Sequence, residues 1–261
     1  MTGSQLEDLA VELRNVRVDF GGVAAVADVS MEVAPYSVHA LIGPNGAGKT
    51  TLLNVITRVV RESAGEVRLH GEDVRGLRPN QLARRGVSRT FQHPQLVDDA
   101  TALENVMMGL YAVERTWMWQ DLVSFRSGVR WEQRARARAL EALSELGLAG
   151  YAGQLAYRLP YGVKKNVELA RAWVSGPRLM LLDEPTAGLD ETEVGELRDF
   201  LQKISSEVTI LVVAHHLEFV LSISDVVTVM SSGQRVCVGP PQTVRSDPAV
   251  VAVYTGVNHD A

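Results

Sequence analysis

The chain has 261 residues, of which 46% are apolar and 22% charged, and its 26 basic and 31 acidic side chains give a net charge of −5. This apolar content is enough for a full core, which excludes an intrinsically disordered chain, and the length predicts one or two domains. The negative net charge argues against a protein that binds DNA regardless of sequence. The single cysteine, Cys237, excludes an internal disulfide and fits a reducing compartment; we interpret it as a packed strand residue.

Two features predict a cytosolic protein. Residues 1–8 lack a basic stretch followed by an apolar run, so no secretory signal is expected. The longest apolar candidate, 208–230, contains Glu218, Asp225 and two histidines, which a membrane-spanning helix would bury in lipid. Strand, helix and strand is the better interpretation of this segment. If the protein works at a membrane, other chains must span it.

The first third of the chain predicts an antiparallel pair followed by a strand, a loop and a helix. Apolar and polar residues alternate over 11–20 and 24–33, and two glycines between them indicate a turn. The short apolar run 38–42 predicts a buried strand that ends in a glycine-rich loop. A helical pattern then covers 49–60.

Residues 101–146 are predicted to form a helical insertion. We interpret its arginine cluster as a solvated helix face, and contact with anionic lipid headgroups is the alternative. Trp117 and Trp119 are more often core residues, although exposed indoles would suit a subunit interface. The arginines of the cluster are Arg126, Arg130, Arg134, Arg136 and Arg138, and a third tryptophan of the insertion is Trp131.

The remaining elements predict a buried parallel sheet. The apolar runs 179–182 and 208–213 indicate two strands, and a helical pattern over 191–203 connects them. The sequence shows neither internal repeats nor the sustained heptads of a coiled-coil arm.

Residues 43–50 fit the phosphate-binding pattern G-x-x-x-x-G-K-[S/T]. Glycines let consecutive backbone N–H groups turn onto phosphate oxygens at a helix N-terminus, and the lysine adds a positive charge. The threonine hydroxyl that follows can ligate Mg²⁺. A plain glycine turn before a helix is the alternative, but the flanking strand and helix are those that the motif requires. The candidate phosphate-binding residues are Gly43, Asn45, Gly46, Ala47, Gly48, Lys49, Thr50 and Thr51.

A carboxylate at the end of a second buried strand should reach the metal from the other side. Asp183 ends the apolar run 179–182 and fills this position. Glu184 follows it and is placed to orient the attacking water or to accept its proton. The alternative for Glu184 is a surface carboxylate that caps the next loop.

These motifs make the chain resemble the ATP-binding cassette ATPases over nearly its whole length. The resemblance implies that Phe20 stacks on adenine, that Gln92 is the Q-loop glutamine near the γ-phosphate and metal, and that Asp190 belongs to the D-loop at the nucleotide. His215 matches the switch histidine, and a buried strand could deliver its imidazole to the same phosphate. A core role for Phe20, a loop-bonding role for Gln92 and a switch role for His216 remain alternatives.

The signature motif departs from the family's Leu-Ser-Gly-Gly-Gln. This chain has Leu-Pro-Tyr-Gly-Val at 159–163. In the family this segment closes over the ATP of the opposite subunit, so Pro160, Tyr161 and Gly162 are expected at the nucleotide. Pro160 has neither a hydroxyl nor an N–H, and it suits the first helical position. We therefore expect the helix to start normally while two donors to phosphate are lost.

The Leu-Pro-Tyr-Gly form, the helical insertion and the segment 247–256 resemble the ATP-binding subunits of branched-chain amino-acid importers and their amide relatives. The Gln-rich continuation of that branch is replaced here by Val163, Lys164 and Lys165. This departure weakens the assignment of the substrate but not the assignment as an ATPase. The resemblance implies an α/β fold: a P-loop core with a parallel sheet, an N-terminal antiparallel β subdomain and an inserted α-helical subdomain. We predict the core at 1–92 and 166–261 and the helical subdomain at 93–165.

The implied function is ATP hydrolysis with Mg²⁺ in a multisubunit importer, at the cytoplasmic face of the plasma membrane. The implied partners are two membrane permeases, contacted by residues from Gln92 to about Met108, a second identical or different ATPase subunit, and an extracytoplasmic solute-binding protein. No nucleic-acid partner is expected. The alternatives are a soluble cassette ATPase acting on nucleic acid or ribosomes, a regulatory subunit that scarcely hydrolyses, and an exporter.

Overall fold

The structure, a computed structural model, describes residues 9–114 and 125–255, and the structural statements below concern these residues. Trp117 and Trp119 lie outside them, as does the side chain of Arg126. The strands are β1 Val11–Phe20, β2 Val23–Val33, β3 Val38–Ile42, β4 Ala64–Leu69, β5 Glu72–Asp73, β6 Val87–Arg89, β7 Leu179–Asp183, β8 Thr209–Val213, β9 Val226–Ser231 and β10 Gln234–Gly239. The helices are α1 Lys49–Ile56, α2 Pro79–Ala83, α3 Ala102–Glu114, α4 Phe125–Glu145, α5 Tyr161–Trp173, α6 Glu191–Ile204, α7 Leu217–Ile223, α8 Pro241–Ser246 and α9 Pro248–Thr255.

The predicted antiparallel pair is confirmed. Strands β1 and β2 pair from Val11 opposite Val33 to Phe20 opposite Val23. The chain turns at Gly21 and Gly22, whose backbone φ angles are 53° and 90°. Residues other than glycine rarely adopt such positive φ angles. Within the described residues, β4 and β5 extend the sheet to the order β2-β1-β4-β5. This is the predicted antiparallel β subdomain.

The predicted parallel sheet is also confirmed. In the described part of the chain its order is β10-β9-β3-β8-β7-β6, and all neighbours are parallel except β10, which runs antiparallel to β9. Every residue of β3, β7 and β8 is buried, as expected where helices cover both faces. Cys237 is a half-buried residue of β10, packed against the core.

The segment 208–230 forms β8, α7 and β9, as predicted in place of a membrane span. No helix among residues 9–114 and 125–255 combines the length and apolar character needed to cross a bilayer.

Helix α1 is shorter than predicted, which corrects the expected end near residue 60. It ends at Ile56 because Arg58 adopts a left-handed φ of 60° and breaks the helical repeat. The N–H groups of Val59 and Val60 both donate to the carbonyl of Asn54 instead of continuing the ladder. The chain therefore leaves the helix one turn early and enters β4.

Helices α3 and α4 lie within the segment 101–146 that was predicted as a helical insertion. Together with α5 they bury a separate apolar cluster that includes Val106, Leu110 and Leu143. Helix α5 crosses the predicted subdomain boundary at residue 165 and packs on the core of the parallel sheet as well, and the boundary stays a prediction. Four arginines of the cluster are exposed on α4, which fits a solvated face: Arg130, Arg134, Arg136 and Arg138.

His39 gives the stability of the fold a predicted pH dependence. It lies on β3, 1% exposed, and its Nε2 is 2.8 Å from Thr228 Oγ1. Burial lowers the pKa of its imidazole from 6.5 to about 4. Between these two pKa values the imidazole is protonated in the unfolded chain but stays neutral in the folded protein. The contribution of His39 to the free energy of unfolding is therefore fully present above pH 6.5 and is lost as the pH falls toward 4. The expected loss from this group between pH 7 and pH 5 is about 2 kcal/mol.

The measurement is urea unfolding at both pH values, for the wild type and for His39→Gln, whose amide does not titrate. The variant should be less stable at pH 7 but should lose about 2 kcal/mol less on acidification. Equal losses in the two proteins would show that His39 does not carry this dependence.

Candidate functional site

The loop between β3 and α1 is shaped by its glycines. Gly46 and Gly48 have φ of 79° and 95°, and Gly48 is the residue from which α1 starts. Gly43 lies so close to β9 that an added Cβ would be 2.1 Å from the carbonyl oxygen of Met230. The loop therefore turns tightly between the sheet and the first turn of a helix, where backbone N–H groups attract anions.

Lys49 folds back over this loop. Its Nζ donates to the carbonyl oxygens of Gly43, at 2.7 Å, and Pro44, at 3.0 Å. Burial lowers the pKa of the ammonium, and the carboxylates of Glu184 and Asp183 act in the opposite direction. The structure thus brings the Lys49 ammonium within electrostatic reach of both predicted acids.

Parallel strands bring Glu184 and His215 together. Strands β7 and β8 are in register at Asp183 and Val213, so the residues that follow emerge at the same edge of the sheet. The Glu184 N–H donates to the Val213 carbonyl at 2.8 Å, and His215 Nδ1 lies 2.5 Å from Glu184 Oε2. His216, by contrast, is the residue that precedes α7. Of the two histidines, His215 is the one whose imidazole contacts Glu184.

Arg89 is a site residue that the sequence analysis missed. Its Nη2 donates to Asp183 Oδ2 at 3.0 Å, and its Nη1 donates to Asn54 Oδ1 at 2.7 Å and Thr57 Oγ1 at 3.0 Å. The guanidinium therefore ties β7 to α1 and occupies one oxygen of the predicted metal ligand. Its strand, β6, has only three residues and gave too short an apolar pattern to be predicted.

Gln92 and the signature segment lie together in the same chain. Gln92 is exposed, and its backbone carbonyl accepts a long hydrogen bond of 3.5 Å from the Tyr161 hydroxyl. The Tyr161 ring packs on Gly188, where an added Cβ would lie 2.7 Å from Tyr161 Cε1. The structure thus brings the predicted Q-loop, signature and D-loop segments into contact.

The position predicted for Pro160 is wrong by one residue. Pro160 has φ −55° and ψ 156°, which is an extended conformation, and α5 begins at Tyr161. The Pro160 carbonyl accepts the first helical hydrogen bond, from the Lys164 N–H at 3.0 Å, so Pro160 is the N-cap. The helix starts normally, as expected, without a side-chain cap.

Asp190 caps α6. Its carboxylate accepts from the Glu193 N–H at 2.9 Å, and the Glu193 carboxylate accepts from the Asp190 N–H at 3.0 Å. The same Glu193 carboxylate fills the space where a Cβ on Gly162 would lie. Asp190 and Gly162 are therefore linked through one side chain.

Phe20 lies at the tip of the β1–β2 hairpin with its side chain exposed. The same hairpin reaches the glycine-rich loop through Ala25, whose carbonyl oxygen would be 2.4 Å from a Cβ on Gly48. Thr50 is exposed on the first turn of α1. Arg89 binds Oδ2 of Asp183, which leaves Oδ1 for a metal ion. This oxygen and the Thr50 hydroxyl are hard ligands, which suit Mg²⁺ better than softer metals.

P-loop nucleotide-binding ATPases are defined by a glycine-rich loop before a helix, a lysine over that loop and acids at the end of another parallel strand, which here is β7, separated from β3 by β8. The sequence profile of the ABC transporter family matches residues 26–187, and the chain belongs to that family. The resemblance drawn from the sequence is thereby confirmed. The chain is a nucleotide-binding ATP-binding cassette. It belongs to the ATPases that drive transport.

Relatives and solved structures agree with this assignment. The chain is 36% identical over 248 residues to the high-affinity branched-chain amino acid transport ATP-binding protein BraF of Pseudomonas aeruginosa, covering 94% of this chain and 97% of BraF. LivG of Escherichia coli, of the same description, is 35% identical with the same coverage. The crystal structure of MJ1267, an ATP-binding cassette of an ABC transporter, in its ADP conformation, has a TM-score of 0.81 at 29% identity and covers 95% of this chain and 99% of its own.

Proposed function

We propose that this chain is the ATP-hydrolysing subunit of an importer for branched-chain amino acids or related small hydrophobic solutes, bound peripherally at the cytoplasmic face of the plasma membrane. The observation that carries the hydrolytic role is the contact of 2.5 Å between His215 and Glu184. The buried Lys49 ammonium is close enough to interact electrostatically with the same Glu184 carboxylate. The substrate class is supported by the names of BraF and LivG, which are branched-chain amino acid transport proteins.

The nucleotide phosphates would lie on the loop between β3 and α1, held by backbone N–H groups and by the Lys49 ammonium. The residues proposed to hold them are Gly43, Asn45, Gly46, Ala47, Gly48, Lys49, Thr50 and Thr51. Thr50, Asp183 and Gln92 would hold Mg²⁺, which, when bound, neutralises charge on the phosphates. Phe20 would stack on the adenine, and its exposed ring is free for such contact.

Glu184 is proposed to orient the attacking water and accept its proton. Its carboxylate is held by His215, so its direction is fixed before substrate arrives. The imidazole stands at the edge of the sheet where the γ-phosphate would lie, and His215 and Gln92 would respond to its presence. Loss of the γ-phosphate would then change the contacts of the Gln92 segment.

The signature segment is proposed to close over ATP bound to a second ATPase subunit, identical or different. Helix α5 has thirteen residues and starts at Tyr161, so its N-terminal N–H groups and dipole remain available. Pro160 contributes no donor, so the phosphate would rely on the backbone N–H groups of Tyr161 and Gly162. Asp190 of the D-loop would lie beside the nucleotide, where its carboxylate caps α6. Phosphate selectivity should be lower there than with a serine.

The membrane partners are proposed to dock beside the Gln92 segment. A cleft of about 330 Å³ lies between β6 and the helices α3 and α5, and it is lined in part by Ser88, Met108, Gly109 and Arg171. Arg171 also holds the segment by donating to the Gln95 carbonyl. A permease segment in this cleft would therefore sense movements that nucleotide causes at Gln92. An extracytoplasmic binding protein would deliver the solute to the two permeases.

Reconstitution tests the proposal. The chain, its permeases and its partner ATPase are placed in vesicles, and phosphate release and uptake of radiolabelled leucine are measured with and without solute-loaded binding protein. We expect both to rise with the loaded binding protein and to depend on Mg²⁺ and ATP. Absence of turnover in the assembled complex, with Glu184 intact, would favour a regulatory subunit, and outward movement of solute would favour an exporter.

A further inference from the structure

Lys165 is a buried cation outside the residues assigned above. It lies on α5, five residues after Pro160, and is 7% exposed. Its Nζ donates to the Glu184 carbonyl oxygen at 2.7 Å and lies 3.3 Å from the Pro185 carbonyl oxygen. Charge-assisted hydrogen bonds of this kind are stronger than neutral ones. The ammonium therefore holds the backbone directly at the predicted catalytic glutamate.

The surroundings of Lys165 favour this arrangement. Burial lowers the pKa of its ammonium, while the carboxylates of Glu168, Glu184 and Asp183 oppose that shift. The Nζ also lies 5.9 Å from the centre of the Tyr161 ring, within reach of a cation–π interaction. One side chain thus connects the start of α5 to the end of β7.

The backbone at Glu184 needs such support. Glu184 has a φ of 51°, in the left-handed region that residues with a side chain seldom occupy. Such a conformation is strained and persists only where surrounding contacts enforce it. The Glu184 N–H is bound to Val213, and its carbonyl accepts from the Ala187 N–H at 3.2 Å as well as from Lys165.

We propose that Lys165 is a positioning residue for ATP hydrolysis, acting through the Glu184 backbone. By pinning the carbonyl it limits rotation of the Glu184 peptide, and so fixes where the carboxylate points relative to the attacking water. It also makes the signature end of α5 and the Glu184 of the same subunit move together. This inference rests on the proposed function, in which Glu184 orients the water.

The test compares Lys165→Met, which removes the charge and the donor at similar length, with Lys164→Met. Lys164 is the adjacent, more exposed lysine, so the control loses the same charge from the same helix. We expect kcat for ATP to fall about 10- to 100-fold in Lys165→Met, with KM changed less than about twofold, because misplacing a catalytic group costs rate more than binding. The control should keep the wild-type kcat.

The second arm measures the same change in a Glu184→Gln background, by single-turnover hydrolysis with enzyme in excess. Since Lys165 acts through Glu184, adding Lys165→Met there should cause little further loss. An equal loss in both backgrounds, a raised KM with unchanged kcat, or wild-type kinetics in Lys165→Met would each overturn the proposal.

A conservative series keeps the proposal testable if Lys165→Met does not fold. Lys165→Arg retains the charge and donors, whereas Lys165→Gln retains only a neutral donor, so kcat should rank Lys, Arg, Gln at constant KM. Equal kcat across this series would refute the role. If the wild type hydrolyses no ATP, the proposed function itself fails. If Glu184→Gln keeps the full rate, another group activates the water, and the role of Glu184 fails together with this inference. An inactive Glu184→Gln with a fully active Lys165→Met refutes this inference alone.

Discussion

Glu184→Gln is expected to lower kcat for ATP hydrolysis by about 10²- to 10⁴-fold, the usual contribution of a general base, while ATP affinity changes little. Glutamine has nearly the same size and can still hydrogen bond with His215, which is 2.5 Å from the carboxylate. It cannot accept the proton of the attacking water. Phosphate release in the assembled transporter, together with equilibrium binding of a fluorescent ATP analogue, measures the two effects separately.

The matched control is Glu207→Gln, an exposed acid on the turn before β8. It removes the same charge far from the loop and should keep the wild-type rate. We also expect ATP-bound subunits of Glu184→Gln to remain associated for longer, because the nucleotide between them is not consumed. Hydrolysis at the wild-type rate in Glu184→Gln would show that another group activates the water.

Gly48→Ala is expected to destabilise the nucleotide-free protein by about 2 to 6 kcal/mol, the sum of backbone strain and overpacking. Gly48 has a φ of 95°, and an added Cβ would lie 2.4 Å from the carbonyl oxygen of Ala25. The neighbouring hairpin cannot give way without shifting β2. Because Gly48 also starts α1, nucleotide affinity should be lost with the geometry of the loop.

Gly46→Ala is the matched control within the same loop. Gly46 has a φ of 79°, but no atom lies within 4 Å of the added Cβ, so only backbone strain of about 1 to 2 kcal/mol is expected. Urea unfolding without nucleotide measures both variants. Equal destabilisation of the two would mean that the contact with Ala25 contributes nothing and that strain alone sets the requirement for glycine.

The sequence predicted the features that depend on local pattern. Alternation and apolar runs located β1, β2, β3, β7 and β8, because the side-chain period and complete burial of these strands are read along the chain. The fixed spacing of the glycines and Lys49 predicted the loop for the same reason. Local pattern failed where elements end: α1 stops at Ile56 because a single left-handed residue breaks it, and α5 starts after Pro160.

The amino-acid sequence was enough to predict the family, the α/β class and the chemical types of residue proposed for the nucleotide site, because each motif is confined to a few consecutive residues. The groups that hold these residues in place became known only from the packing of distant segments. Arg89 meets Asp183 across 94 positions, and His215 meets Glu184 across 31. Such contacts arise because parallel strands bring their ends to one edge of the sheet, and strand order is not written in any local pattern. The hold of Lys165 on the Glu184 carbonyl emerged in the same way, from the packing of α5 against the end of β7.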